Sequence, residues 1–200
     1  MFTGIIRSKG RLLAAEIRVG GGRLLVDAPE LPVRAGDSVA VEGVCLTVTE
    51  AEGGRLRFDL AVETLSRTTL GELPVGRPLN LEPSLRLEDA LDGHLMMGHV
   101  DAVATVRSLK PEGDGQRLTL DLPQELTHLV AYKGSLAVNG VSLTVAGLDG
   151  QTASFALVPF TLEETTLRLL QPGQGVNVEA DPIARYVARL LSPLEGGPRS

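Results

Sequence analysis

GDSVAVEGVCLTV (36–48) and KGSLAVNGVSLTV (133–145) are the same thirteen-residue phrase written twice, identical at eight positions. In the first copy Val39 and Val41 alternate with Ala40 and Glu42, Gly43 interrupts, and Val44, Leu46 and Val48 resume the alternation in shifted phase. Period-two alternation broken by a glycine describes two strands around a tight turn or bulge. The offset of 97 residues persists beyond the phrase: Phe58 matches Phe155, Leu60 Leu157, Thr64 Thr161, Thr68-Thr69-Leu70 Thr165-Thr166-Leu167, Asn80 Asn177 and Glu82 Glu179. A period of that length is too long for the stacking unit of a solenoid, so each copy is expected to be a domain with its own core.

Leu24-Leu25-Val26, Leu56 to Leu60 and Leu79-Asn80-Leu81-Glu82 are further strand candidates, bounded by Gly, Pro or Asp. About six short strands per copy predict small antiparallel barrels. The expected fold is all-β: two tandem six-stranded antiparallel β-barrels of Greek-key type, related by a pseudo-twofold, over residues 1–95 and 96–181. Their lead-in segments align best as Thr3-Gly4-Ile5-Ile6 on Gly98-His99-Val100-Asp101, an offset of 95, with the boundary at Leu91-Asp92-Gly93-His94. The stretches 63–70 and 160–167 read as short helices. Thr161 with Glu164 three residues on has the form of a capping box, so helix capping competes with ligand contact as the role of Thr64 and Thr161.

Asp181-Pro182 opens a C-terminal α-helix expected over residues 182–192, with Asp181 as N-cap and Pro182 in the first helical position. Ile183, Val187, Leu190 and Leu191 form an apolar stripe until Pro193 stops it. Eleven residues are marginal as a free helix, so the stripe must cover its own barrel or meet copies of itself. Glu195 to Ser200 read as a frayed tail.

With 23 Gly, 12 Pro and six aromatics, the chain is rich in turns and must build its cores from Val, Leu and Ala. A net charge of −6 without a Lys/Arg cluster argues against nucleic acid or an anionic membrane as partner and towards a small molecule. The single cysteine, Cys45, cannot form an intrachain disulfide, and the N-terminus carries no signal-type pattern, so a cytoplasmic protein is expected.

Alternation places Cys45 with Thr47, and Ser142 with Thr144, on the faces opposite Leu46 and Leu143. Short neutral donors and acceptors suit a ligand of many hydroxyls or amides better than a phosphate. No phosphate-binding loop, Rossmann fingerprint or nucleophile elbow occurs in the sequence. His94 and His99, five apart, and one Cys make a metal site unexpected. The informative positions are those where the copies differ: Gly4 against His99, Gly36 against Lys133, Cys45 against Ser142, Glu63 against Phe160. Two similar pockets with different tasks would suit an enzyme that binds two copies of one molecule and treats them unequally.

Met-Phe-Thr-Gly-Ile-Ile at the start, Gly-Val-Cys-Leu-Thr-Val, Gly-His-Leu-Met-Met-Gly-His-Val-Asp, Lys133-Gly134-Ser135, Gly140 to Val145 and Asn177-Val178-Glu179-Ala180-Asp181 together resemble the riboflavin synthase alpha chain family. Shorter parts are shared with the lumazine proteins, non-catalytic relatives that bind a fluorescent ligand. The alternatives are therefore the synthase, a lumazine-binding protein, and a generic duplicated barrel serving as an interaction module.

The resemblance implies a cofactor-independent dismutation of two 6,7-dimethyl-8-ribityllumazine molecules by transfer of a four-carbon unit, giving riboflavin and 5-amino-6-ribitylaminouracil. It implies a homotrimer held by the C-terminal helices, with each working site shared between the N-terminal domain of one subunit and the C-terminal domain of another. Association with lumazine synthase is a further expectation. One pocket would use Gly4, Ile5, Ile6, Cys45, Leu46, Thr47 and Asp59, Leu60, Ala61, Val62, Glu63 and Thr64. Its counterpart would use Gly98, His99, Val100, Ser142, Leu143, Thr144 and Ala156, Leu157, Val158, Pro159, Phe160 and Thr161, with Lys133 reaching across from a neighbouring chain. His99 is the expected proton carrier, Cys45 and Ser142 the groups that position or add to the ring, and Lys133 an electrostatic or proton-relaying partner. Asp181 is a catalytic candidate for which N-capping is the competing role. Asn139 stands where some family members carry Asp, which removes one candidate acid, and Asp92 replaces a common Gly in a turn.

Overall fold

The computed structural model describes residues 1–195. Strands β1 (Ser8–Arg18), β2 (Gly21–Asp27), β3 (Ser38–Val41), β4 (Val44–Glu52), β5 (Arg55–Leu60) and β6 (Pro78–Pro83) close into an antiparallel barrel in the order β1-β2-β5-β4-β3-β6. The second copy comprises β7 (Ala102–Glu112), β8 (Gly115–Asp121), β9 (Ser135–Val138), β10 (Val141–Thr144), β11 (Gly147–Asp149), β12 (Thr152–Leu157) and β13 (Gly175–Ala180). Its order is β10-β9-β13-β7-β8-β12-β11. In the first copy β4 pairs with both β3 and β5 and so completes the ring. Its counterpart is broken at Val145 and Ala146 into β10 and β11, leaving a curled seven-stranded sheet in place of the six-stranded closed barrel expected.

Long strands serve two neighbours by bending. β1 shifts register between Leu12 and Ala14, β4 between Val48 and Glu50, and β7 between Val106 and Ser108, each a bulge that increases local twist. Each repeat has its own core. Phe58 and Phe155 occupy equivalent positions, both 0% exposed, amid Leu and Val from the strands around them. Burying one such ring contributes about 1.5–3 kcal/mol.

The two quoted phrases form hairpins, β3–β4 and β9–β10. Their turn residues Glu42-Gly43 (φ 48° and 81°) and Asn139-Gly140 (φ 46° and 79°) lie in the left-handed region that a type I′ turn demands. The turns sit back to back: a Cβ on Gly43 would lie 2.6 Å from the Gly140 nitrogen, and one on Gly140 2.8 Å from that of Gly43. Around this contact the copies exchange hydrogen bonds. Asn80 Nδ2 donates to the Asn139 carbonyl (3.0 Å) and Asn177 Nδ2 to the Glu42 carbonyl (2.9 Å). Thr166 N donates to Asn80 Oδ1 (2.7 Å) and Thr69 N to Asn177 Oδ1 (2.8 Å).

Helices α1 (Val62–Arg67) and α2 (Pro159–Glu164) follow β5 and β12. The capping box expected at Thr161 does not form. The helix begins earlier, with Val158 at the N-cap and Pro159 in its first turn, so Thr161 is already helical. The capping threonines are Thr68 and Thr165, whose hydroxyls accept from Leu70 N and Leu167 N in the 3-10 turns that follow. Helix α3 (Pro182–Glu195) runs through Pro193, where a stop was expected. Lacking an N–H, the proline leaves the last turn one hydrogen bond short. Asp181 caps its start, Oδ1 accepting from Ile183 N at 2.9 Å. Of the expected frayed tail, residues 196–200 lie outside the described residues.

Candidate functional site

The lead-in segments decide how the site is built. Phe2 and Met96 form an antiparallel bridge between the two lead-in segments. Thr3 N and Gly4 N donate to the carboxylate of Glu82 on β6 (2.7 and 3.0 Å), and the Gly4 carbonyl accepts from Ser142 N of the second repeat (2.9 Å). In the same manner Met97 N and Gly98 N donate to Glu179 on β13 (2.8 and 2.9 Å), and the Gly98 carbonyl accepts from Cys45 N of the first repeat (2.9 Å). Each lead-in segment therefore lies against the other repeat. Ile6 packs on the second core and Val100 on the first.

This arrangement corrects two expectations. Gly4 and Gly98 share φ values of 77° and 73° and the same hydrogen bonds, so the lead-ins match at an offset of 94, not 95. The counterpart of His99 is Ile5, not Gly4. The pockets also recombine: Gly98, His99 and Val100 belong with Cys45, and Gly4, Ile5 and Ile6 with Ser142. The register was legible, since an offset of 94 pairs Gly4 with Gly98 and Ile6 with Val100, but the recombination was not, because it depends on backbone bonds between distant segments. Both glycines are required by close approach, since a Cβ on either would lie 2.6 Å from the Cβ of Ser142 or Cys45.

Val44, Cys45, Glu63, Thr64, Arg67, Thr68, Gly98, His99, Val100 and Asp101 line an open cavity of about 470 Å³, within the range of small-ligand sites. Cys45 is half-buried and Thr47 exposed, while Val44, Leu46 and Val48 fill the core, as the alternation predicts. Leu60 also belongs to the core; Asp59 is exposed and paired with Arg23 at 2.9 Å; Ala61 and Val62 are exposed at the start of α1. Glu63 and Arg67 form an ion pair at the rim (2.9 Å).

The second face centres on Ser142, whose Oγ lies 2.6 Å from His94 Nδ1. His94 is 8% exposed, and this burial lowers its pKa, partly countered by the negative charge of Asp181. A neutral imidazole bonded to a hydroxyl can relay a proton or raise that oxygen's nucleophilicity. Leu143 and Leu157 are core, Thr144, Ala156, Val158 and Pro159 are exposed, and Thr161 is half-buried. Phe160 is 73% exposed, where the first repeat has Glu63. Lys133 is exposed with φ 65°, its Nζ 5.2 Å from the centroid of the Tyr132 ring; it does not line the cavity beside Cys45.

The chain matches the lumazine binding domain family twice, over residues 3–84 and 97–181. It is 39% identical over 197 residues to riboflavin synthase of Mycobacterium tuberculosis, covering 96% of this chain and 98% of the relative. The chain belongs to the riboflavin synthase family. Solved structures of LumP share its fold: the complex with riboflavin superimposes with a TM-score of 0.84 at 26% identity, and that with 6,7-dimethyl-8-(1'-D-ribityl) lumazine with 0.82 at 26%, each covering 90% of this chain and 99% of LumP.

On this riboflavin synthase scaffold the two faces carry different histidines from one segment. His94 serves Ser142, and His99 lines the cavity of Cys45. At the offset of 94 the counterpart of His94 would precede Met1, so the duplication could not suggest it as Ser142's partner. Glu82 and Glu179 anchor the two lead-in segments, a part that a carboxylate repeated at the same place in two apolar strands could have signalled. Burial raises the pKa of both, and the backbone N–H bonds they accept oppose that rise. Arg67, Thr68 and Asp101 become site residues only through tertiary placement.

Proposed function

We infer that this chain converts two molecules of 6,7-dimethyl-8-ribityllumazine into riboflavin and 5-amino-6-ribitylaminouracil by passing a four-carbon unit from one to the other. The observation that carries this reading is the near-full-length match to riboflavin synthase on a scaffold with two related but chemically unequal faces. One lumazine gives up four carbons and the other receives them, so the two binding sites must act differently. A thiol and His99 beside one site, and a hydroxyl bonded to His94 beside the other, meet that need.

In this reading His99 moves the proton that must leave the acidic 7-methyl group or return to the product, and Cys45 positions or adds to the ring at that face. Ser142, polarised by His94, does the same at the other. Asp181 both caps α3 and tunes His94 through its charge. Lys133 acts from a neighbouring chain. The working assembly is a homotrimer: Ile183, Tyr186, Val187, Leu190 and Leu191 of α3 are 67, 71, 47, 73 and 50% exposed, an apolar surface that three helices would bury together. The reading includes a cytoplasmic location and association with lumazine synthase, the latter testable by co-sedimentation.

The test is to mix the purified chain with the lumazine and follow riboflavin by absorbance, with no added cofactor. Catalytic accumulation of riboflavin is the expected result. Stoichiometric fluorescent binding without turnover would place the chain with ligand carriers instead.

A further inference from the structure

We propose that Asp101 and Arg185 form a positioning pair that ties the first turn of α3 to the segment covering Cys45, so that the C-terminal helix sets the geometry of that pocket. Asp101 lines the cavity of Cys45 at the end of the Gly98–Val100 cover. Its carboxylate accepts from Ala180 N at 2.8 Å and from Arg185 at 3.0 and 3.1 Å. The Asp101 side chain is 18% exposed and that of Arg185 42%, with the Arg185 Nε shielded from solvent, so the pair is half-buried at the junction of helix and cover.

Helix stability does not explain Arg185. A cation four residues after the N-cap faces the positive end of the helix dipole, where an acidic residue is preferred, and the first turn of α3 has no acidic residue at all. The neighbouring bonds point to the same junction. Glu179 holds Met97 N and Gly98 N, Ala180 N meets Asp101, and Asp181 caps α3. Three consecutive residues leading into the helix thus grip the cover or the helix itself, and Arg185 closes the clamp from the helix side. The cover in turn meets the thiol strand through Cys45 N to the Gly98 carbonyl. A helix displaced in its packing would move Asp101, and with it His99 relative to Cys45.

The test uses the full chain and reads the pocket directly, because Cys45 is the only cysteine. Arg185→Gln should speed alkylation of Cys45 by iodoacetamide several-fold, with an unchanged circular dichroism spectrum and an unchanged mass by light scattering. Turnover of lumazine should fall by roughly tenfold to a hundredfold, as expected for reacting groups displaced by about 1 Å. Arg185→Lys, which keeps the charge, should restore most of both. If Arg185→Gln does not fold, Asp101→Asn carries the same test from the other side. Wild-type alkylation and turnover in a folded Arg185→Gln chain would overturn the proposal, as would loss of turnover that follows only from dissociation. The turnover arm rests on the synthase reading; the alkylation arm does not, so wild-type inactivity would sink that reading while the thiol still reports on the clamp.

Discussion

Glu42 makes the fold sensitive to pH because its carboxyl is shut away from water. It is 1% accessible, at the contact between the repeats, where Asn80 N donates to its Oε1 at 2.6 Å and Thr166 Oγ1 at 3.3 Å. Burial dominates over these bonds and over the attraction of Arg77, and pushes the carboxyl from 4.5 up to about 7. At about 1.4 kcal/mol per pH unit this displacement is worth roughly 3 kcal/mol, a substantial part of the roughly 5–15 kcal/mol that holds an ordinary domain folded. The sign follows from the raised value. The unfolded carboxyl ionises near 4.5, so the stability is fully present below that pH and is lost as pH rises towards 7.

Glu42→Gln removes the titration and keeps an oxygen for Asn80 N. Urea unfolding followed by circular dichroism at pH 4.5, 6, 7 and 8 should give near-equal stabilities at the acid end and a variant more stable by roughly 3 kcal/mol at pH 8. Glu82 and Glu179 are raised by burial too, and they tilt both proteins in the same direction, so the difference between the two isolates Glu42. Glu42→Asn should do at least as well, since Asn suits the left-handed turn and Asn139 already accepts from Asn177 N at 2.8 Å in the equivalent place. Parallel pH profiles for wild type and Glu42→Gln would refute the reasoning, because the buried carboxylate would then be as stable charged as neutral.

Three further outcomes follow from the site and the assembly. His99→Ala should lower riboflavin formation by about 10²–10⁴-fold while the Ser142 face still binds lumazine by fluorescence; near-normal turnover would remove His99 from the mechanism. Deleting residues 182–200 takes away both the apolar stripe and the Arg185 clamp, and light scattering should find monomers with little activity; a persisting trimer would locate the assembly contact elsewhere. Residues 1–95 should fold and dimerise by laying each Phe2–Ile6 segment over the partner's Cys45 strand, as the two repeats do within the chain; a monomeric fragment with full lumazine affinity would show that the exchange is dispensable.

Local chemistry made much of this molecule readable from the chain. Glycine at the phase shift of two alternating runs forces a tight turn, alternation turns Cys45 and Ser142 away from Leu46 and Leu143, and Asp-Pro before an apolar stripe starts a helix; each depends on residues within a few positions of one another. The duplication, legible at an offset of 97 because the same phrase recurs, supplied the number of repeats. What the sequence left undecided involves partners far apart along it. Which repeat a lead-in covers turns on the Gly4 carbonyl meeting Ser142 N and the Gly98 carbonyl meeting Cys45 N. Pairing Ser142 with His94, closing one barrel while its copy stays open, and sealing Glu42 between two turns likewise required the packed repeats. Periodicity tells a residue which face it occupies; only the docking of one repeat on the other decides which side chains share that face and how much water is left around them.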